Sequence, residues 1–256
     1  MLSCSEHPLL TSNLIPLRLL RTPLPLLTSF RASQGFLLNS GQVCAAASRL
    51  FVQEGIATKF LEAIKARFEG ISAGAMGNPL DASTFLGPVA DRVQYDRVMK
   101  FIEQGKKDAK VVTGGGRHGD RGNFIEPTIF LDPPSDSKIY TDEIFGPVLV
   151  FKTFKSEEEA IELANDTSYG LAAYLYTSDV TRALRVSAEL EAGSVFVNTP
   201  FAVTANTPFG GFKESGNGSR ESGKAGLMSY LEAKTVLIKY VDRHSLLHLV
   251  ADSLLV

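Results

Sequence analysis

The sequence predicts an α/β fold in which a mostly parallel sheet is covered by helices. Three observations predict it. Short apolar or alternating runs of strand length recur at 49–53, 110–113, 148–154, 171–177 and 194–198. Between them lie stretches with apolar residues at helical spacing, of which Ile56, Phe60, Ile64 and Phe68 are the clearest. Helix start signals stand at Asp91, Ser156 and Asp179. Strand–helix–strand order of this kind favours parallel strands with helices on the faces.

Taken in order, residues 1–32 are rich in Leu, Ser, Thr and Pro, with Arg18, Arg21 and Arg31 against a single acid, Glu6. A basic, acid-poor composition resembles a mitochondrial transit peptide. Pro8, Pro16, Pro23 and Pro25 argue against one long amphipathic helix. An accidental N-terminus on a truncated coding sequence is the favoured alternative, and a poorly ordered leader over 1–34 is expected. A strand at 49–53 and a helix at 56–68 follow. A second helix, 91–105, is capped by Asp91, with Val98, Phe101 and Ile102 as core contacts. Gly114, Gly115 and Gly116 end the strand 110–113. They lack the lysine and helix-opening pattern of a phosphate loop, so a surface turn is expected. Residues 124–131 read as a strand broken by Pro127, and 148–154 as a buried strand.

Ser156 with Glu159 three residues on forms a capping box that opens a helix over 157–165. The Glu157–Glu159 run is therefore a helix start and a solvated face. Tyr169 and Gly170 suggest a turn before a strand at 171–177. Asp179 caps a helix to Leu190, Gly193 stops it, and 194–198 is a strand. Residues 201–223 form a long glycine-bearing stretch without periodicity, of the kind that is functional or disordered. A short helix over 224–232 and an alternating strand over 234–240 complete the body. An amphipathic helix over the tail, 241–256, and an arbitrary extension are both compatible with its sequence.

Composition excludes several classes. The net charge is −2, so no basic excess points to nucleic acid. Cys4 and Cys44 are the only cysteines, which argues against a disulfide framework and for a reducing compartment. A cytoplasmic location is expected, with a mitochondrial one as the alternative. His244 and His248 have helical spacing but no third ligand nearby, so no metal site is expected. No apolar run reaches the length of a membrane span.

The chemistry-bearing stretch is Asn39-Ser40-Gly41-Gln42-Val43-Cys44, followed by Ala45-Ala46-Ala47-Ser48. Glycine lets backbone approach closely, and small residues suit a tightly packed helix. At the first turn of such a helix a thiol would be favoured as thiolate. The alternative is an inert, buried cysteine.

Residues 36–49, FLLNSGQVCAAASR, resemble the catalytic-cysteine motif of the aldehyde dehydrogenase superfamily. Two further stretches resemble that family in the same order: Glu143-Ile144-Phe145-Gly146-Pro147-Val148 and Pro208-Phe209-Gly210-Gly211-Phe212-Lys213. The resemblance runs from about Gln34 to Tyr240 and covers the family's C-terminal half. It implies a catalytic domain over 35–228, an oligomerisation arm over 229–240, and an unmatched tail over 241–256. It implies oxidation of a small-molecule aldehyde to an acid with NAD or NADP, through a thiohemiacetal and thioester on Cys44. Homo-oligomers or mixed oligomers would be the assembly, without nucleic acid or membrane partners.

By the same resemblance, Glu143 would hold the nicotinamide ribose, Phe145 would pack near the cofactor ring, and Gln94 would add a weaker cofactor contact. The residues alone leave open a solvated acid and ordinary core packing. Phe209 would line the aldehyde tunnel, or anchor its loop as a buried aromatic. Asn39 and Gln42 would hold the cysteine loop by hydrogen bonds, and Asn198, at a strand end, is similar. The backbone amide of Cys44 is the candidate oxyanion donor. The family's glycine fingerprint, general-base glutamate and oxyanion asparagine find no counterpart before Cys44. Little activity is therefore expected of the chain alone. The alternatives are a slow thiol esterase and a non-enzymatic oligomerisation partner of a full-length family member. The face that would meet a cofactor domain is expected to limit solubility.

Overall fold

The structure is a computed structural model that describes residues 12–16, 24–200 and 202–239. Its centre is a seven-stranded sheet in the order β3-β4-β5-β2-β1-β7-β8. The strands are β1 (Ser12–Pro16), β2 (Ala47–Gln53), β3 (Lys110–Thr113), β4 (Thr128–Leu131), β5 (Val148–Phe154), β7 (Ala172–Tyr176) and β8 (Ser194–Val197). All neighbours are parallel except β3, which runs antiparallel to β4. A separate two-stranded ribbon pairs β6 (Tyr169–Gly170) with β9 (Phe212–Lys213).

Helices cover both faces. On one lie α1 (Leu24–Leu37) and α2 (Glu54–Gly74). The residues of α2 that are buried, Phe60, Ile64, Phe68 and Ile71, recur at one helical face. They pack with Leu50, Val52, Leu149 and Phe151 of the sheet. On the other face lie α3 (Arg92–Asp108), α5 (Glu157–Asn165) and α6 (Val180–Glu189), packing with Phe51, Val148 and Val150. Alternate residues of β2 and β5 thus enter opposite cores, which is why both strands read as continuous apolar runs. A single turn, α4 (Lys138–Thr141), and α7 (Gly223–Met228) complete the helices.

Local signals fix the helix starts. The Asp91 carboxylate accepts from Gln94 N–H at 2.8 Å, and Asp179 from Arg182 N–H at 3.0 Å. Ser156 Oγ accepts from Glu159 N–H at 3.2 Å, while Glu159 reaches back to Lys155 N–H at 2.7 Å. No described helix is long and apolar enough to cross a membrane.

The structure corrects several expectations. The supposed leader contains β1 and α1, and β1 lies inside the sheet between β2 and β7. Its backbone pairs on both sides, Leu14 with Leu50 and with Tyr174. Pro16 sits at the last position of the strand, where a missing N–H costs least. The residues after Cys44 enter strand β2 rather than a helix, because pairing with β5 and β1 satisfies their backbone. Tyr169 and Gly170 pair with β9 instead of only turning. Of the expected strand 124–131, only 128–131 joins the sheet.

The expected arm strand is likewise not formed. Among the described residues, 231–239 carry no strand pairing. Leu237 is 92% exposed and Ile238 83% exposed, because the segment joins neither edge strand of the sheet, β3 nor β8. The tail expectation lies outside the described residues.

A strand paired on both sides is expected to be indispensable. Deleting residues 1–16 would leave the facing edges of β2 and β7 unpaired. Thermal unfolding should then start at lower temperature and end in aggregation. An unchanged melting temperature in the shortened chain would contradict the placement of β1.

Candidate active site

Helix α1 ends in a short turn, Leu38–Gly41, that carries the chain toward the thiol. Asn39 (φ 51°), Ser40 (φ 58°) and Gly41 (φ 74°) are all left-handed. For the two residues with side chains this costs on the order of 1–3 kcal/mol each, so the surroundings must hold them. They do. Gln42 N–H and Gln42 Nε2 both donate to Asn39 O, at 3.1 and 3.0 Å, and Asn39 Nδ2 donates to Gln42 O at 3.1 Å. Gln42 Oε1 accepts from Ala90 N–H at 2.8 Å, and Ser40 Oγ donates to Gly87 O at 2.7 Å. Asn39 and Gln42 are thus bound to the loop itself.

Gly41 has a second reason to be glycine. A Cβ there would stand 2.3 Å from Gly146 O. The cysteine loop therefore lies directly on the backbone of the segment 143–146. A Cβ on Gly146 would in turn meet Val98 Cγ2 of α3 at 2.6 Å. Past Gly41 the chain turns at Val43, whose carbonyl accepts from Ala46 N–H at 2.8 Å. Ala45, Ala46 and Ala47 are buried, and Tyr174 Oη donates to Ala45 O at 2.7 Å. The small side chains fit a turn pressed onto the sheet.

Cys44 is partly exposed, so its sulfur is neither sealed in the core nor free in solvent. Burial pushes its thiol up from the ordinary value, and the Glu143 carboxylate pushes it further. The backbone N–H groups of Ala45 and Cys44 act in the opposite sense, and Glu221 adds a smaller upward push. The expected thiolate at a helix start is corrected on both counts: the first helix turn is absent and the thiol is raised.

Glu143 is 8% exposed, and its Oε2 has no hydrogen-bond partner among the described residues. It lines a small cavity with Val43, Ala46 and Phe145. Burial pushes its carboxyl up to about 8, against a smaller opposite pull from Arg97. Phe145 is half-buried and left-handed, at φ 57°. Gln94 Nε2 donates to Phe145 O at 2.6 Å and to Ile144 O at 3.3 Å, so its amide is spent on holding this segment. Arg97 donates to the carbonyls of Glu143 and Ile144. Sequence reasoning missed Arg97; the available signal was its place one turn after Gln94 on the same helix.

Phe209 is half-buried and belongs to the apolar cluster that also includes Val43 and Cys44. Its N–H and C=O pair with those of Glu221, at 2.8 and 2.7 Å. It lines an open cleft of about 320 Å³ with Leu171, Gly211, Ser215 and Glu221. A Cβ on Gly193 would stand 1.8 Å from Gly210 O, so this loop too is seated by glycine-to-glycine contact. Asn198 lies apart in role. Its side chain bonds both backbone groups of Thr177, at 2.9 and 2.7 Å, and ties the end of β8 to the end of β7.

The sequence model of the aldehyde dehydrogenase family matches residues 28–236. An aldehyde dehydrogenase of Emericella nidulans is 48% identical over 212 residues, which is 82% of this chain and 42% of that protein. Aldehyde dehydrogenase, cytosolic 1, of Rattus norvegicus is 45% identical over 215 residues, 84% of this chain and 42% of that protein. Among solved structures, an NAD+ complex of aldehyde dehydrogenase from Bacillus cereus superposes with a TM-score of 0.82 at 38% identity. It covers 90% of this chain and 45% of that one. Betaine aldehyde dehydrogenase from Staphylococcus aureus in complex with NAD+ gives 0.80 at 36% identity, covering 88% and 44%. The chain spans about two fifths of the length of the curated relatives it matches.

Two outcomes test the site's geometry. Gly41→Ala combines a left-handed backbone with a backbone clash, and should destabilise the fold by roughly 2–4 kcal/mol in denaturant unfolding. The second concerns pH. Folded Glu143 keeps its proton to about pH 8, whereas the unfolded chain releases it near the ordinary carboxyl value. Its contribution to stability is therefore complete below the ordinary value and is lost as pH rises through about 8. Glu143→Gln should flatten that decline in melting temperature measured against pH.

Proposed function

The chain belongs to the aldehyde dehydrogenase family, and from that premise we propose that Cys44 is the nucleophile in oxidation of an aldehyde to a carboxylic acid. The observation that carries the proposal is a partly exposed sulfur with two backbone N–H groups directed to it, near a buried carboxyl and packed against the same apolar cluster as Phe209.

The Cys44 thiolate adds to the carbonyl carbon, and the carbonyl oxygen takes the negative charge. The amides of Cys44 and Ala45 are the nearest preorganised donors for that charge. Loss of hydride from the tetrahedral adduct leaves a thioester on Cys44, and water releases the acid. A nicotinamide dinucleotide, NAD or NADP, would supply the hydride acceptor when bound. The unpartnered Oε2 of Glu143 fits a ribose hydroxyl donor, and half-buried Phe145 offers a face beside it. Gln94 serves from behind by fixing Phe145 O. Phe209 and Leu171 supply the apolar wall for the aldehyde's substituent.

The first half-reaction is testable without cofactor. An activated acetyl ester should transfer its acetyl group to Cys44, with slow turnover, and mass spectrometry should find the adduct on that residue alone. Cys44→Ala should remove both. Persistent hydrolysis in Cys44→Ala would dismiss the thiol chemistry. A non-enzymatic reading is favoured by one observation, the exposed run Tyr230, Leu231, Val236, Leu237 and Ile238. Such a segment suits strand addition to a full-length family member. Failure to co-elute with one would count against it.

A further inference from the structure

One turn of α3 presents three side chains to the segment that carries Glu143. Gln94 takes the carbonyls of Ile144 and Phe145. Arg97 takes those of Glu143 and Ile144. Val98 packs against Gly146. Three successive carbonyls are thus bound by one helix, and the left-handed backbone of Phe145 is fixed between them. The guanidinium of Arg97 also stacks on Phe101, 5.1 Å from the ring centroid, which limits its freedom.

We propose that Arg97 is a positioning residue that holds the Glu143 carboxyl against the cysteine loop and thereby governs how readily Cys44 ionises. Its planar fork presents two separate nitrogens, Nη1 and Nη2, to two adjacent carbonyls, a fixed geometry that a single ammonium nitrogen does not have. The carboxyl is carried on the same residue whose carbonyl Arg97 binds, and it faces the cavity shared with Val43 and Ala46. The inference rests on reading Glu143 and Cys44 as parts of one site, but its readout requires no turnover.

The titratable groups around this pair come from five directions, one of them β7, where Tyr174 interacts with the charge on Cys44. Arg97 approaches Glu143 from α3, and Asp142 precedes it in the chain. Tyr169, from β6, feels both Glu143 and Asp142. Glu221, bridged to Phe209, acts on Cys44 from the other side. Arg97 is the only cation with a resolved influence on Glu143 among the described residues. Removing it keeps Glu143 protonated to higher pH and frees the carboxyl to move away. Both effects withdraw negative charge from beside the thiol.

The test is the pH dependence of Cys44 alkylation by iodoacetamide, followed by peptide mass spectrometry. Glu143→Gln should lower the midpoint by about half a pH unit or more. Arg97→Met should lower it in the same direction, and Arg97→Lys by less. The double variant should match Glu143→Gln alone, because Arg97 acts through the carboxyl. An Arg97→Met profile that superimposes on the parent, shifts that add in the double variant, or no shift in Glu143→Gln would each overturn the proposal. If circular dichroism shows Arg97→Met unfolded, Arg97→Lys decides: a lowered midpoint supports positioning and an unchanged one refutes it. Failure of acetyl transfer to Cys44 with these shifts intact would sink the proposed function and leave this inference standing.

Discussion

The contact between Gly41 and Gly146 sets the site. A side chain on Gly41 would force the two backbones apart, since its Cβ would reach within 2.3 Å of Gly146 O. Gly146 is itself pressed onto Val98, so the cysteine loop, the segment 143–146 and helix α3 stack without a spacer. This stack brings a thiol from one side and a carboxyl from the other into a common electrostatic field. It also explains the left-handed run at 39–41. The loop must reverse tightly to lay Gly41 down, and strain of a few kcal/mol is tolerable when four hydrogen bonds from Asn39, Ser40 and Gln42 hold the turn.

The same logic separates what the sequence revealed from what it hid. Helices α3, α5 and α6 announce themselves because their caps are local: Asp91, Ser156 and Asp179 bond to amides three residues away. Strand β5 is legible because it is buried on both faces. By contrast, Ser12–Pro16 carries a weak and proline-ended pattern, and only β2 and β7 on either side make it a strand. Ala45–Ser48 has helical propensity, yet tertiary pairing overrides it at Ala47. The residues 234–239 alternate like a strand but pair with neither edge of the sheet.

At the site, backbone states were not legible. Motif likeness singled out Cys44, Glu143, Phe145 and Phe209, but nothing in the letters Asn39-Ser40 signals two left-handed residues in succession. The resemblance assigns Gln94 a cofactor contact, and the structure bonds its amide nitrogen to the Ile144 and Phe145 carbonyls. Arg97 was invisible because its partners are carbonyls, which every residue has.

The raised thiol of Cys44 bears on how such a site would work. Cys44 and Glu143 are both pushed up by burial, and the carboxylate's charge adds to the push on the thiol. A highly basic thiolate is scarce at neutral pH but is the stronger nucleophile when formed. The amides of Ala45 and Cys44 help the thiolate, and in the proposed mechanism they also serve the oxyanion. Donors that stabilise sulfur strongly in the resting state would have less to gain when charge moves to oxygen. A thiol kept mostly protonated leaves those two N–H groups to act where charge develops during carbonyl addition, which is the only place where their stabilisation lowers the barrier.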